Sequence, residues 1–338
     1  MAHDETLAAR DLARLPKGHL HLHLEAAMRP ETLTELAAQK GVTIPPTSGF
    51  SGFSAFAGMY QGLLAVLADE ENLERLIDEA VADAAADGAY YVEFGVSPQY
   101  YIDTFGSVEA SLDRHLEYAA AAGARHGVEI GLMVTVDRTF GIEPASVLAR
   151  AAAARAGRGV VSLGLANEER GYPAAEFAVA FDIAKAAGLQ SAPHAGELVG
   201  PESVWQAIHA LKADRILHGV RALEDEALVA ELAQRGIPLD VCLTSNVILG
   251  VVDDLSEHPL QALLAAGVRC SINADDPILF GPGLLGEYIA AREQVGLSDE
   301  QLAACAWTSI ETTLASDDTK ARARTEIDNW LSTTGDDR

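Results

Sequence analysis

The chain has 338 residues, 49% of them hydrophobic, and no apolar run reaches the roughly 18 residues that a membrane span requires. Against 24 Lys and Arg stand 50 Asp and Glu, and the formal charge of −26 repels phosphate backbones and anionic lipid, so neither nucleic acid nor a membrane is an expected partner. Cys242, Cys270 and Cys305 make no disulfide framework and no Cys-x-x-Cys site, and residues 1–14 lack the basic start and apolar centre of a signal peptide; both features fit a reducing cytoplasm.

The first element is the stretch 16–25, PKGHLHLHLE. Alternation of period two makes it a strand with His19, His21 and His23 on one face and Leu20, Leu22 and Leu24 on the other. A row of imidazoles is a poor core but a good way to hold a borderline metal such as zinc. Residues 30–41 follow as a helix, with Glu31 in its first turn and Gly41 after its end. Phe50, Phe53 and Phe56 recur every three residues, which fits either an apolar lid over a pocket or a short helix packed on the body.

From residue 70 a regular alternation begins. Helices are expected over 71–87, 109–126, 144–156, 173–187, 201–212, 223–234 and 257–266. Strands are expected over 90–97, 129–136, 160–165, 190–194, 215–218, 238–242 and 268–273. Three more helical patterns, 284–294, 299–314 and 317–331, close the chain. Counting the first, eight strands are each followed by a helix, the mark of a parallel α/β fold closed as a (β/α)8 TIM-type barrel. No linker divides it, so residues 1–338 read as one domain with an insertion at about 44–68 and extra C-terminal helices. The alternative, a doubly wound open sheet, would want a Gly-x-Gly-x-x-Gly turn after its first strand, and none is there.

Active sites of such barrels lie at the C-terminal strand ends. The first strand ends in His21, His23 and Glu25, the fifth in His194-Ala195-Gly196-Glu197, the sixth in His218-Gly219, and the eighth in Asn273-Ala274-Asp275-Asp276-Pro277. His21, His23, His194 and Asp275 offer three nitrogens and one oxygen to a zinc ion and leave a position for water. The fourth strand has no lysine to bridge a second ion, so one metal per chain is expected. The Pro-Cys-x-x-Cys and His-Glu-x-x-His signatures of other zinc enzymes are absent. His3, His115, His126, His209 and His258 fall on tails, helices or helix ends and read as surface residues.

These residues resemble the adenosine deaminase family of the amidohydrolase superfamily over nearly the whole chain. The motifs are Leu15-Pro16-Lys17 before His21-x-His23-Leu24-Glu25; His194-Ala195-Gly196-Glu197 before Gly200-Pro201-Glu202; His218-Gly219-Val220 before Glu224-Asp225; Thr244-Ser245-Asn246; and Ser271-Ile272-Asn273-x-Asp275-Asp276-Pro277. The resemblance implies a zinc-dependent hydrolytic deaminase of a small 6-aminopurine, with the same four ligands. It assigns catalysis to Glu197, which would protonate N1, to His218, which would orient the attacking water and help deprotonate it, and to Asp275. It assigns substrate contacts to Asp276 at N7, and to Glu25, Asn167 and His23. Three residues depart from the pattern. Glu25-Ala26 stands where the family has Asp-Gly, the Asp touching ribose, while adenine deaminases carry Glu-Gly. Asn167 stands where the family has a Gly whose N–H bonds N3. With Leu249-Gly250 and Phe280-Gly281, this segment is similar to an actinobacterial branch that includes 6-aminodeoxyfutalosine deaminases. Adenosine, adenine and aminodeoxyfutalosine are therefore all expected candidates, and no motif addresses oligomeric state.

Overall fold

The computed structural model describes residues 9–44, 47–49, 53–67 and 69–332. Eight parallel strands pair in chain order: β1 Lys17–His23, β2 Ala89–Val96, β3 Glu129–Asp137, β4 Val160–Ala166, β5 Gln190–Ala195, β6 Ile216–His218, β7 Leu239–Val241 and β8 Cys270–Ile272. The last meets the first: Asp275 N–H donates to the His21 carbonyl at 3.0 Å and His23 N–H to the Asp275 carbonyl at 3.1 Å. Asn273 seals the same seam, its Oδ1 accepting the N–H groups of Leu20 and His21 at 2.7 and 3.2 Å. The expected barrel is thus present.

The helices form because their apolar residues recur at helical spacing. In Glu70–Ala86 the buried positions are Leu73, Leu76, Ile77, Ala80, Val81 and Ala84, one stripe facing the sheet. The chain then turns at Gly88, where φ is +87° and an added Cβ would lie 2.4 Å from the Ala13 carbonyl. The 173–187 helix divides into a 3-10 turn, Ala174–Phe177, and an α-helix, Ala178–Ala186. Leu243–Ile248 is a helix that periodicity did not announce, being six residues long. Phe50 lies outside the described residues; Phe53–Leu64 is a helix. No helix among the described residues is long and apolar enough to cross a membrane. Cys242, Cys270 and Cys305 are buried and unpaired.

A charged plug fills the barrel below the strand ends. Arg215, fully buried, donates to Asp240 Oδ2 at 2.7 Å and pairs with Glu93. Ser162 Oγ donates to Glu93 and Ser271 Oγ to Asp240, at 2.6 and 2.7 Å. The plug ties β2, β4, β7 and β8 to the start of β6.

Two expectations about histidines are corrected here. His19 does not stay in line with His21 and His23: the β1–β2 register slips between His19 and Leu22, and His19 lines a second cavity with Leu22 and Arg29, accepting the Ala274 N–H at 3.1 Å. His115 and His258 are not surface residues but are 0% and 4% exposed. His115 bonds the Ser111 carbonyl at 2.8 Å and meets the ring of Tyr101, because its helix turns that face inward.

Candidate active site

Four side chains meet at the C-terminal mouth of the barrel. His21 Nε2 lies 3.0 Å from His194 Nε2 and 3.1 Å from Asp275 Oδ1. His23 Nε2 lies 3.3 Å from His194 Nε2 and 3.4 Å from Asp275 Oδ1. Corners of a tetrahedron with arms of about 2.0–2.1 Å stand roughly 3.3 Å apart, so these spacings suit one ion at the centre. His21 Nδ1 is 3.2 Å from the Asp240 carbonyl. A carbonyl only accepts, so the proton sits on Nδ1 and the lone pair on Nε2. Burial, then the other imidazoles, holds His194 well below the usual histidine range, and burial lowers His23 to about 4. Burial alone would raise the Asp275 carboxyl, but His21, His218 and His23 hold it well below its usual value. Facing lone pairs repel one another, so three imidazoles and a carboxylate at this range are a donor set for a shared cation.

The backbone at these strand ends is unusual. Of the four non-glycine residues with positive φ among those described, three are site residues: Asn167 at 75°, His218 at 64° and Asp275 at 63°. Such conformations cluster where function over-determines the chain. Gly196, at φ +69°, turns the chain between His194 and Glu197; an added Cβ would lie 2.5 Å from Val204. Ser245 Oγ donates to Asp275 Oδ2 at 2.7 Å and fixes the rotation of that carboxylate.

Glu169, at 3% exposure, holds the next turn. Its carboxylate accepts from the successive N–H groups of Gly196, Glu197, Leu198 and Val199, at 2.6 to 3.1 Å, and from Ser203 Oγ at 2.6 Å. A Glu169→Gln change turns an amide N–H2 toward donors. It is expected to lower unfolding free energy by about 3 kcal/mol, since each bond to a charged acceptor is worth about 1.5–3 kcal/mol and the bonds do not add. Urea unfolding would read the loss, and unchanged stability would contradict this account.

Glu197 stands on that turn, 5% exposed, with its Oε1 unpaired by hydrogen bonds and 3.5 Å from His218 Nε2. Burial, then the charges of Asp275 and Glu169, pushes its carboxyl well above the usual range. Asp276 is raised in the same way by burial and by Asp275, and its Oδ1 also lacks a partner. Both line one cavity of about 660 Å³, counted with its mouth, together with His23, His194, His218 and Asp275. The cavity thus offers two carboxyls whose protonated forms are favoured by burial and neighbouring charge, beside the four converging ligands.

The remaining candidates divide. Asn167 lines the cavity, but its Nδ2 donates to Asp137 Oδ2 at 2.8 Å and its Oδ1 accepts from Glu168 N–H, so the side chain is folded back onto the wall. Glu25 does not line the cavity. It is fully buried behind Tyr60 and Tyr101, whose hydroxyls donate to it at 2.6 and 3.2 Å. Phe53 and Phe56 line the cavity, and Phe56 stacks on Phe280 at 5.4 Å; the segment is both helix and cover. Sequence reasoning missed Glu169 and Tyr60, since no local pattern distinguishes a carboxylate that gathers a distant turn.

Residues 16–330 match the adenosine deaminase family profile. A Streptomyces coelicolor protein whose name couples adenosine and adenine deamination is 39% identical, over 95% of this chain and 98% of its own length. The aminodeoxyfutalosine deaminase of Streptomyces coelicolor is 35% identical, over 94% and 85%. Among solved structures, the adenine deaminase of Arthrobacter aurescens superposes with a TM-score of 0.88 at 29% identity, over 94% of this chain and 99% of that one.

Proposed function

The chain belongs to the adenosine deaminase family and is a hydrolytic deaminase, and from that premise we propose that it replaces the 6-amino group of a purine by oxygen with one zinc ion. The observation that carries this reading is the meeting of His21, His23, His194 and Asp275 beside the raised carboxyls of Glu197 and Asp276. A bound zinc would lower the pKa of water to about 7 and so supply the nucleophile at neutral pH.

The chain's own groups do the rest. Addition at C6 breaks the ring's aromaticity and leaves charge on N1. Burial and neighbouring charge favour the protonated form of Glu197, which faces the cavity, so it gives that proton to N1. Asp276, whose protonated form is favoured in the same way, donates a hydrogen bond to N7, which only accepts. The N–H of Asn167, presented from its left-handed turn, is offered to N3. His218, lowered to about 3 by burial and the nearby imidazoles, is neutral and steadies the new oxygen without adding a full charge. The buried, unpaired cysteines suit a cytoplasmic setting.

Among 6-aminopurines we read an adenine nucleoside or a close relative as the substrate. One observation favours the free base as a second reading: the carboxylate at the family's ribose-contacting position, Glu25, is sealed behind Tyr60. The test is ammonia release from adenine, adenosine and 6-aminodeoxyfutalosine, with zinc measured on the same preparation. One zinc per chain and turnover of one member are expected. Stoichiometric zinc with all three substrates intact would overturn the reading.

A further inference from the structure

We propose that His258 and Asn246 are positioning residues that set the tautomer of His218, keeping its proton on Nε2 and pointing it at the reacting centre. The proposal rests on the deaminase reading for its consequence, but its structural content can be tested without turnover.

The argument begins at a group whose polarity is not open to choice. The backbone N–H of Leu260 donates to His258 Nδ1 at 3.1 Å. That nitrogen therefore carries a lone pair, and the proton of the neutral ring is on Nε2. Burial lowers His258 to about 4, so the ring is neutral at physiological pH. His258 Nε2 lies 3.1 Å from Asn246 Oδ1 and donates to it. This also orients the Asn246 amide: turned over, its N–H2 would meet a ring with no second lone pair to offer. The amide nitrogen then faces His218 Nδ1 at 3.2 Å and donates there. His218 Nδ1 accepts, so the proton is on Nε2, which lies 3.5 Å from Glu197 Oε1 and 3.7 Å from Asp275 Oδ2. Each link has one permitted direction, and a backbone amide outside the site thus decides where the proton of an imidazole inside it resides.

The links are sheltered. Asn246 and His258 are 0% and 4% exposed, on the helix after β7 and the loop that follows it. Neither touches the four converging ligands in the hydrogen bonds described. With Nε2 protonated, neutral His218 donates to an oxygen at C6. In the opposite tautomer it would present a lone pair to that same developing negative charge.

The decisive variant is Asn246→Asp, which keeps the shape and replaces the donor toward His218 by an acceptor. His218 must then place a proton on Nδ1. Nitrogen-15 spectra of ring-labelled histidine in the zinc-loaded protein are expected to show a protonated His218 Nε2 in the native chain and a protonated Nδ1 in the variant. Turnover is expected to fall by about 10²–10⁴-fold, the upper figure being the scale of a catalytic histidine held in the wrong tautomer, with KM changed little and zinc retained. His258→Gln keeps an N–H for Asn246 Oδ1 and is expected to lose less turnover than His258→Leu. A native spectrum with the proton on Nδ1, or an Asn246→Asp chain with native tautomer or native turnover, would overturn the proposal. The native spectrum decides the matter even if a variant fails to fold, and even if none of the tested purines proves to be the substrate.

Discussion

Glu197→Gln is expected to lower turnover by about 10²–10⁴-fold, the range for loss of a positioned general acid, while leaving the zinc content unchanged. The two carboxyl-sized groups fill the same space, and Gln can still donate a hydrogen bond to N1. It cannot release a proton. Glu197 is not among the four converging ligands, so metal retention separates lost acid catalysis from a damaged site. The pH dependence follows from the direction of the shift. Burial, Asp275 and Glu169 raise the carboxyl, so it keeps its proton to higher pH than a free carboxyl does, and activity that needs this proton fades as pH rises through the raised value. The alkaline limb of kcat/KM is therefore assigned to Glu197 and should vanish from the residual activity of the variant. Parallel assays of ammonia release and bound zinc check both statements; native turnover in the variant would remove Glu197 from its role.

Arg215→Met is expected to destabilise the fold by about 3–5 kcal/mol, the usual consequence of taking one partner from a buried ion pair. Arg215, Glu93 and Asp240 are all 0% exposed. Without the guanidinium, Glu93 and Asp240 keep, among the described residues, the hydroxyls of Ser162, Ser271 and Tyr91. Burial without a cation disfavours the charged form of a carboxyl. The cost of the substitution, measured against the native chain, should then be smallest in acid and grow as pH rises, and urea unfolding of both chains at several pH values measures it. Damage should also reach the site, because the Asp240 carbonyl orients His21. Native stability at neutral pH would show that the plug holds the barrel less firmly than its geometry says.

How much of this was legible beforehand differs from element to element. The helix Glu70–Ala86 and the strand Ala89–Val96 were readable to within a residue or so, because amphipathic spacing and a β-rich run are local properties of the chain. The Leu243–Ile248 helix was not, being too short for a period to develop. His19 looked equivalent to His21 and His23, yet a register slip in β1 removed it. His258 read as a surface residue, although folding buries it against Asn246.

By itself the amino-acid order determined the eightfold β/α alternation, the family, and the residue types waiting at the strand ends, since each depends on neighbours within a few positions or on motifs that stand whole in the chain. Tertiary structure alone decided that His21, His23, His194 and Asp275 come within 3.4 Å of one another in the contacts measured, that Glu25 is shut away by Tyr60, and that Glu169 and His258 work at a distance. The reason is physical: closing the barrel brings His21 and Asp275 together from 254 positions apart, and burial then removes the water that would otherwise satisfy or screen their polar atoms, so which partner each one finds is settled by the packed strands and by nothing local.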